Sequence, residues 1–239
     1  MKPTVQHLSK APIVEAIIAF ALEKPLTDSD AVFEQFYALI QSDYPSRNPV
    51  KMAQLTVSDQ GSSGETQIVG ARFASADGKR VCLVDQSNFI CSRLAPYETW
   101  ESLKSEFERL WKIYSPLCNS RIARVGVRYI NKIFLPEGED MSLTVRTRPE
   151  IAEGLPQSMF NFLVRLGVKI PDPQGVLMIT EAQLPTERPG FVTAVLDHDL
   201  QFRINPESTD VWSLLDKARE LKNDYFFASL SEDVIKEYL

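Results

Sequence analysis

Five side chains combine type and spacing in a way that supports binding chemistry: Glu15, Arg124, Arg128, Tyr129 and Asn131. Four of them lie in one decapeptide, Arg-Val-Gly-Val-Arg-Tyr-Ile-Asn-Lys-Ile at 124–133. A guanidinium is a rigid fork of donors that matches a carboxylate or a phosphate. Arg124 and Arg128 are four residues apart, so on a strand they project from one face about 13 Å from each other. Glu15 is a lone charge in the apolar run 13–22 and is the nearest candidate to neutralise one of them. The other arginine is then left for solvent or an anionic ligand. Tyr129 and Asn131 stand at i and i+2 and share a strand face. Their hydroxyl and amide either orient a ligand or satisfy nearby backbone.

Other chemistries have less support. Asp197-His198-Asp199 is the one cluster of metal-ligating residue types, and on a strand His198 points away from both aspartates. The chain lacks Gly-x-Ser-x-Gly, His-Glu-x-x-His and a phosphate-binding glycine loop. Glu137/Glu139 and Glu232/Asp233 read as solvated charge clusters, and no cofactor or metal is expected. The stripe Trp100, Phe107, Trp111 and Tyr114 reads as core.

The elements that must position these groups follow from periodicity. Val125, Val127, Tyr129 and Ile133 alternate with Arg124, Gly126, Arg128 and Lys132, which is the period of a strand. Residues 13–22 carry apolar side chains on both faces and the β-branched pairs Ile13-Val14 and Ile17-Ile18, the signature of a central strand. Thr27–Asp30 starts a helix whose stripe is Phe33, Phe36, Tyr37, Ile40 and Tyr44. Pro45–Pro49 is expected as a loop. Strands follow at 51–57, 67–74, 80–85 and 87–94, with Asp77-Gly78 as a hairpin turn.

Pro96 is expected in the first turn of a second helix that Pro116 ends. The central strand 122–135 comes next. A possible strand at 142–146 and a short helix at 158–166, capped by Gly167, precede strands at 175–184, 190–199 and 201–204. A long helix from Val211 to Tyr225 and a last N-cap at Ser231 close the chain.

The expected fold class is α+β. Two similar strand–helix–meander–helix halves, 1–120 and 121–239, share a curved antiparallel sheet packed on long helices. Order and period carry this expectation, since residue identity between the halves is weak.

Ala11-Pro-Ile-Val-Glu-Ala16, Tyr97-Glu-Thr-Trp100, Arg124-Val-Gly-Val-Arg-Tyr-Ile-Asn131 and Leu196-Asp197 resemble a sporadically distributed bacterial protein family of this length. The resemblance covers nearly the whole chain and implies a stand-alone bacterial protein. No catalytic residue is established for that family, so none carries over. The element order also resembles a duplicated helix-grip or TATA-binding-protein-like arrangement, and likeness of fold licenses no function.

Bulk properties bound the rest. The chain has 239 residues, is 44% hydrophobic and 24% charged, and carries a net charge of -6. It is long enough to bury a core without metals or disulfides. Three cysteines without Cys-x-x-Cys spacing suit a reducing compartment. Residues 11–22 mimic a secretory signal, but Glu15 interrupts them and Glu23, Lys24 and Pro25 follow without a small-residue cleavage site. No run reaches a membrane span, so a cytoplasmic location is expected.

The functional expectation is a non-catalytic module that binds a small molecule or a protein partner, with a homodimer possible. Its pocket would lie between sheet and helices. The alternative is an enzyme acting on a small phosphorylated or nucleic-acid substrate through Arg124 and Arg128. Duplex nucleic acid is not an expected partner, because phosphate neutralisation by Lys and Arg supplies most duplex affinity and the balance here is acidic. Fluorescence anisotropy at two salt concentrations should show no salt-sensitive duplex DNA binding in the micromolar range. Tight binding that weakens steeply with salt overturns this.

Overall fold

The computed structural model describes residues 8–58, 61–137, 145–147, 151–157, 161–185, 188–205, 207 and 209–239. The strands are β1 (Ile13–Leu22), β2 (Ser46–Ser58), β3 (Gly61–Ala74), β4 (Arg80–Asp85), β5 (Asn88–Leu94), β6 (Ile122–Pro136), β7 (Leu163–Ile170), β8 (Gly175–Leu184) and β9 (Phe191–Arg203). The helices are α1 (Ser29–Ile40), α2 (Trp100–Cys118), α3 (Val211–Ser229) and α4 (Glu232–Lys236).

Among the described residues the nine strands form one antiparallel sheet in the order β2-β3-β4-β5-β1-β6-β9-β8-β7. The two motif-bearing strands are its centre. β1 pairs with β6 from Leu22↔Ile122 to Ile13↔Asn131, with irregularities at both ends. The period-two pattern of each strand sorts its side chains: Ala16, Ile18 and Phe20 of β1 and Val125, Val127 and Tyr129 of β6 are buried against the helices. Their alternates lie on the other, more open face.

Phe20 is the hub of the core. Its ring meets Phe107 at 4.7 Å, Trp111 at 5.1 Å and Trp212 at 5.7 Å. It therefore joins the central strand to α2 and α3 at once. The helices start where side-chain caps occur: Asp28 accepts from Ala31, Thr99 from Ser102, Asp210 from Trp212 and Ser213, and Ser231 from Val234. A second core cluster, with Ile133, Leu135 and Leu196 of the sheet, is closed by Phe226, Phe227, Val234 and Ile235.

Several local expectations are corrected. Ser46–Pro49 opens β2 and is not a loop; Pro49 sits in an edge strand, the place in a sheet where proline is tolerated. β3 begins at Gly61, well before residue 67. Pro96 lies four residues ahead of α2, whose N-cap is Thr99, and Pro116 is accommodated within the helix, which runs on to Cys118. The helix expected at 158–166 is β7 from Leu163 on, and Gly167 is a mid-strand residue paired with Met178. The short apolar run 163–168 fits either period, and pairing with β8 decides it. The segments 190–199 and 201–204 are one strand, β9. The possible strand at 142–146 lies mostly outside the described residues; Val145 makes an isolated bridge to Leu230.

The single sheet, the α+β class and the starts of α1 and α4 agree with the sequence reading, and all three cysteines are free. Gly78, with φ 71°, supplies the left-handed turn residue between β3 and β4. Among the described residues no helix is long and apolar enough to cross a membrane.

Removing the hub ring should be costly. Phe20→Ala should lose about 3–5 kcal/mol in denaturant unfolding, whereas Met52→Ala, at an exposed edge position, should stay within about 0.5 kcal/mol. Equal effects would mean that Phe20 is not the hub.

Candidate functional site

The five sequence-selected residues divide between the two faces of the sheet. Arg124 and Arg128 project from the open face, and the alternation of β1 puts Glu15 there too. Tyr129 and Asn131 point under the helices and are buried. One ligand cannot touch both sets, because successive residues of a strand face opposite ways. A pocket between sheet and helices can therefore draw on Tyr129 and Asn131, and not on Arg124 or Arg128.

On the open face, Arg128 donates through Nε and Nη2 to both carboxylate oxygens of Asp197, at 2.9 and 2.7 Å. Its partner is thus a residue of β9 and not Glu15, whose charge adds a weaker attraction. This bidentate bond is the first cause holding the Arg128 guanidinium above its ordinary pKa. Asp199, directly opposite Arg128, is bridged to Arg124 through Gln201, with bonds of 2.7 and 3.1 Å. Burial pushes the Asp199 carboxyl up. Both arginines border a hollow of about 210 Å³ above Gly126. His198 lies on the opposite face from Asp197 and Asp199, as a strand requires.

Under the helices is a larger cavity, of about 800 Å³. Its walls come from residues 8–13, the segment Ala95–Glu101 leading into α2, Tyr129 and Asn131 of β6, and Arg219, Lys222, Asn223, Phe226 and Phe227 of α3. The wall elements are tied down. Lys10 donates its backbone N–H to Tyr238 (3.2 Å), Lys132 to Pro12 (2.8 Å) and Ala95 to Val14 (3.0 Å). α2 and α3 are clamped at the rim by Trp100 Nε1 and Lys104 Nζ on Asp216, at 3.1 and 2.8 Å, and by Arg219 with Glu101 at 3.4 Å.

The polar groups of this cavity converge. The Tyr97 and Tyr129 hydroxyls are 2.8 Å apart, and burial first pushes both phenols above their ordinary range. Asn131 donates to the Leu196 carbonyl at 3.1 Å, so its amide serves the neighbouring strand in part. Lys222 lies 3.8 Å over the Tyr129 ring. It is 9% exposed and has no carboxylate partner among the described residues. Burial, then the Arg219 charge, brings its amine down to about 7 from 10.5.

Two more buried groups lie on the helix-facing side of the sheet. His198 Nε2 is 3.3 Å from Ser229 Oγ, which donates to the Tyr225 carbonyl. The serine proton is thus committed, so its oxygen accepts from Nε2–H and Nδ1 is left bare and unpartnered. Burial lowers this imidazole to about 4. Glu181 of β8 is 1% exposed with both carboxylate oxygens unpartnered, and burial raises it to about 7.

Sequence reasoning missed Lys222, Tyr97 and Arg219. A signal for the lysine was present. Leu215, Ala218, Lys222, Phe226 and Ser229 recur at helical spacing and are all buried, so a lysine stands in the middle of an inward stripe. A scan against protein-family models finds no match for this chain, and no curated protein matches its sequence.

The Arg128–Asp197 pair should be structural. Its carboxylate is 9% exposed and its guanidinium 42%. Arg128→Met should cost about 1–3 kcal/mol, between the surface and buried ranges. Glu15→Gln should be nearly silent in the same melts. A larger loss from Glu15→Gln would restore Glu15 as the partner.

Proposed function

We propose that the protein is a binding module, without chemistry of its own on the open face, and that it holds a small organic anion in the cavity between α2, α3 and the β1–β6 pair. One observation carries this reading: the Lys222 amine is buried at the cavity wall with no anionic partner among the described residues. Burying a cation unpaired opposes folding. A carboxylate in the cavity would supply the missing charge, and Arg219 stands on the same wall. Trp100, Phe226 and Phe227 would cover an apolar body, the usual division between apolar lining and a few polar anchors.

The rival, an enzyme acting through Arg124 and Arg128, has less support. Both guanidiniums are already bonded, to Asp197 and Gln201.

We also propose that the two halves are related by duplication. Outward from the central pair the strands run β5-β4-β3-β2 on one side and β9-β8-β7 on the other, so consecutive antiparallel strands flank both and the first side carries one more. Each half also carries, after its sheet strands, a 19-residue helix with a tryptophan in its first turn, Trp100 in α2 and Trp212 in α3. A helix equivalent to α1 is not seen among the described residues of the second half.

Proton linkage tests the binding reading. The ionisable groups facing Lys222 are Tyr129 from β6, His198 from β9 and Arg219 from α3, with Tyr97, Glu98, Glu101 and Lys10 around the same cavity. Burial keeps both tyrosines and His198 neutral near neutral pH, so Lys222 is the group expected to titrate. An anion raises the Lys222 pKa, so binding above about 7 takes up a proton. Affinity should then fall about tenfold per pH unit, up to the pKa of the bound state. Calorimetry of aryl and alkyl carboxylates in buffers of different ionisation heat reads this directly. Binding without proton uptake, or binding only of neutral analogues, overturns the reading.

Lys222→Met should abolish the proton uptake and stabilise the free protein by about 1–2 kcal/mol. A lysine with a lowered folded pKa destabilises fully below about 7, and the penalty fades toward 10.5. The gain should therefore shrink as pH rises through that window.

A further inference from the structure

We propose that Lys222 is a nucleophilic lysine, whose amine condenses with the carbonyl of a small carboxylate-bearing aldehyde or ketone to form an imine inside the cavity. This rests on the cavity being a ligand site, and it names the ligand class.

The position of the amine distinguishes it from the protein's surface lysines. Lys104, Lys217 and Lys236 hold carboxylates at 2.8, 2.9 and 2.8 Å, on Asp216, Glu220 and Asp233. Those contacts favour the ammonium, which has no lone pair to offer. Lys222 has no such contact among the described residues; burial and the neighbouring Arg219 cation favour the free amine. A desolvated lysine next to another cationic group is one of the recognised ways to activate this side chain. Arg219, on the preceding turn of α3, holds Glu101 at 3.4 Å; a ligand carboxylate that shares this guanidinium leaves Lys222 in equilibrium between the ammonium, which binds the anion, and the amine, which attacks the carbonyl.

The step balances without a redox partner. The nitrogen lone pair forms an N–C bond with the carbonyl carbon, and the nitrogen proton passes to the oxygen to give a carbinolamine. The C–O bond then breaks as that oxygen leaves as water, taking the second nitrogen proton, and C=N forms. The Tyr97–Tyr129 pair can relay these protons. In a hydroxyl pair 2.8 Å apart one proton bridges the oxygens and the other is free to donate toward the cavity.

The test uses the full-length protein near neutral pH with para-formylbenzoate and cyanoborohydride, which reduces an imine to a stable secondary amine. Peptide mapping then reports every lysine at once. Lys222 should be alkylated at least about tenfold faster than Lys104, Lys217 or Lys236. Tyr97→Phe should slow this labelling while leaving the surface lysines unchanged. Labelling of Lys222 at or below the rate of the surface lysines overturns the proposal. Calorimetry with para-hydroxymethylbenzoate, which cannot form an imine, separates the two readings. If it binds with proton uptake and Lys222 stays unlabelled, the anion site stands and the nucleophile does not. If it fails to bind while Lys222 is labelled selectively, the nucleophile stands and the anion reading falls.

Discussion

The antiparallel pairing of β1 with β6 is the constraint on which the rest depends. It fixes which residues of 122–136 face the helices and which face out. In this register Phe20 lies opposite Val125 and Ala16 opposite Tyr129, so the aromatic hub and the cavity tyrosine fall on one side. A slip by one residue would turn both arginines into the core and Tyr129 out of it. Burying two guanidiniums unpaired is prohibitive, so the charges on the open face lock the register as firmly as the apolar face does. The irregularity between Ile13 and Glu15 lets Ile13 join the cavity wall while Glu15 stays with the open face.

The parts of the fold with a clean period were legible. The alternation in 124–133 located the central strand, and Asp77-Gly78 marked a turn that the left-handed Gly78 confirms. The opposite pointing of His198 and its flanking aspartates followed from strand geometry alone. Segments where two periods compete were not legible. Residues 163–168 offer apolar side chains at spacings that suit helix or strand, and only the partner β8 settles them. Ser46–Pro49 contains the residues of a loop, yet an edge strand tolerates them.

The site was legible in halves. Tyr129 and Asn131 were found, but they were grouped with two arginines that the same alternation sends the other way. Glu15 was chosen as the arginine's partner by depth along the chain, while Asp197 comes from a strand whose place beside β6 no local pattern reveals. Lys222 was missed because a search for helix stripes collects apolar residues, and the informative position is the one that breaks the stripe. A charged residue where the helix period demands an apolar one marks a place where function overrides packing.

The edge strand β7 has a consequence for the molecule in a crowded solution. It exposes Leu163, Leu166 and Val168 at one end of the sheet order, the kind of border that recruits further strands. Arg165 and Lys169 are spaced through it and are exposed. Two copies approaching border to border would bring these cations toward their own counterparts. The sheet is thereby discouraged from growing into a ribbon, and a polyanion that screened those cations would remove the safeguard.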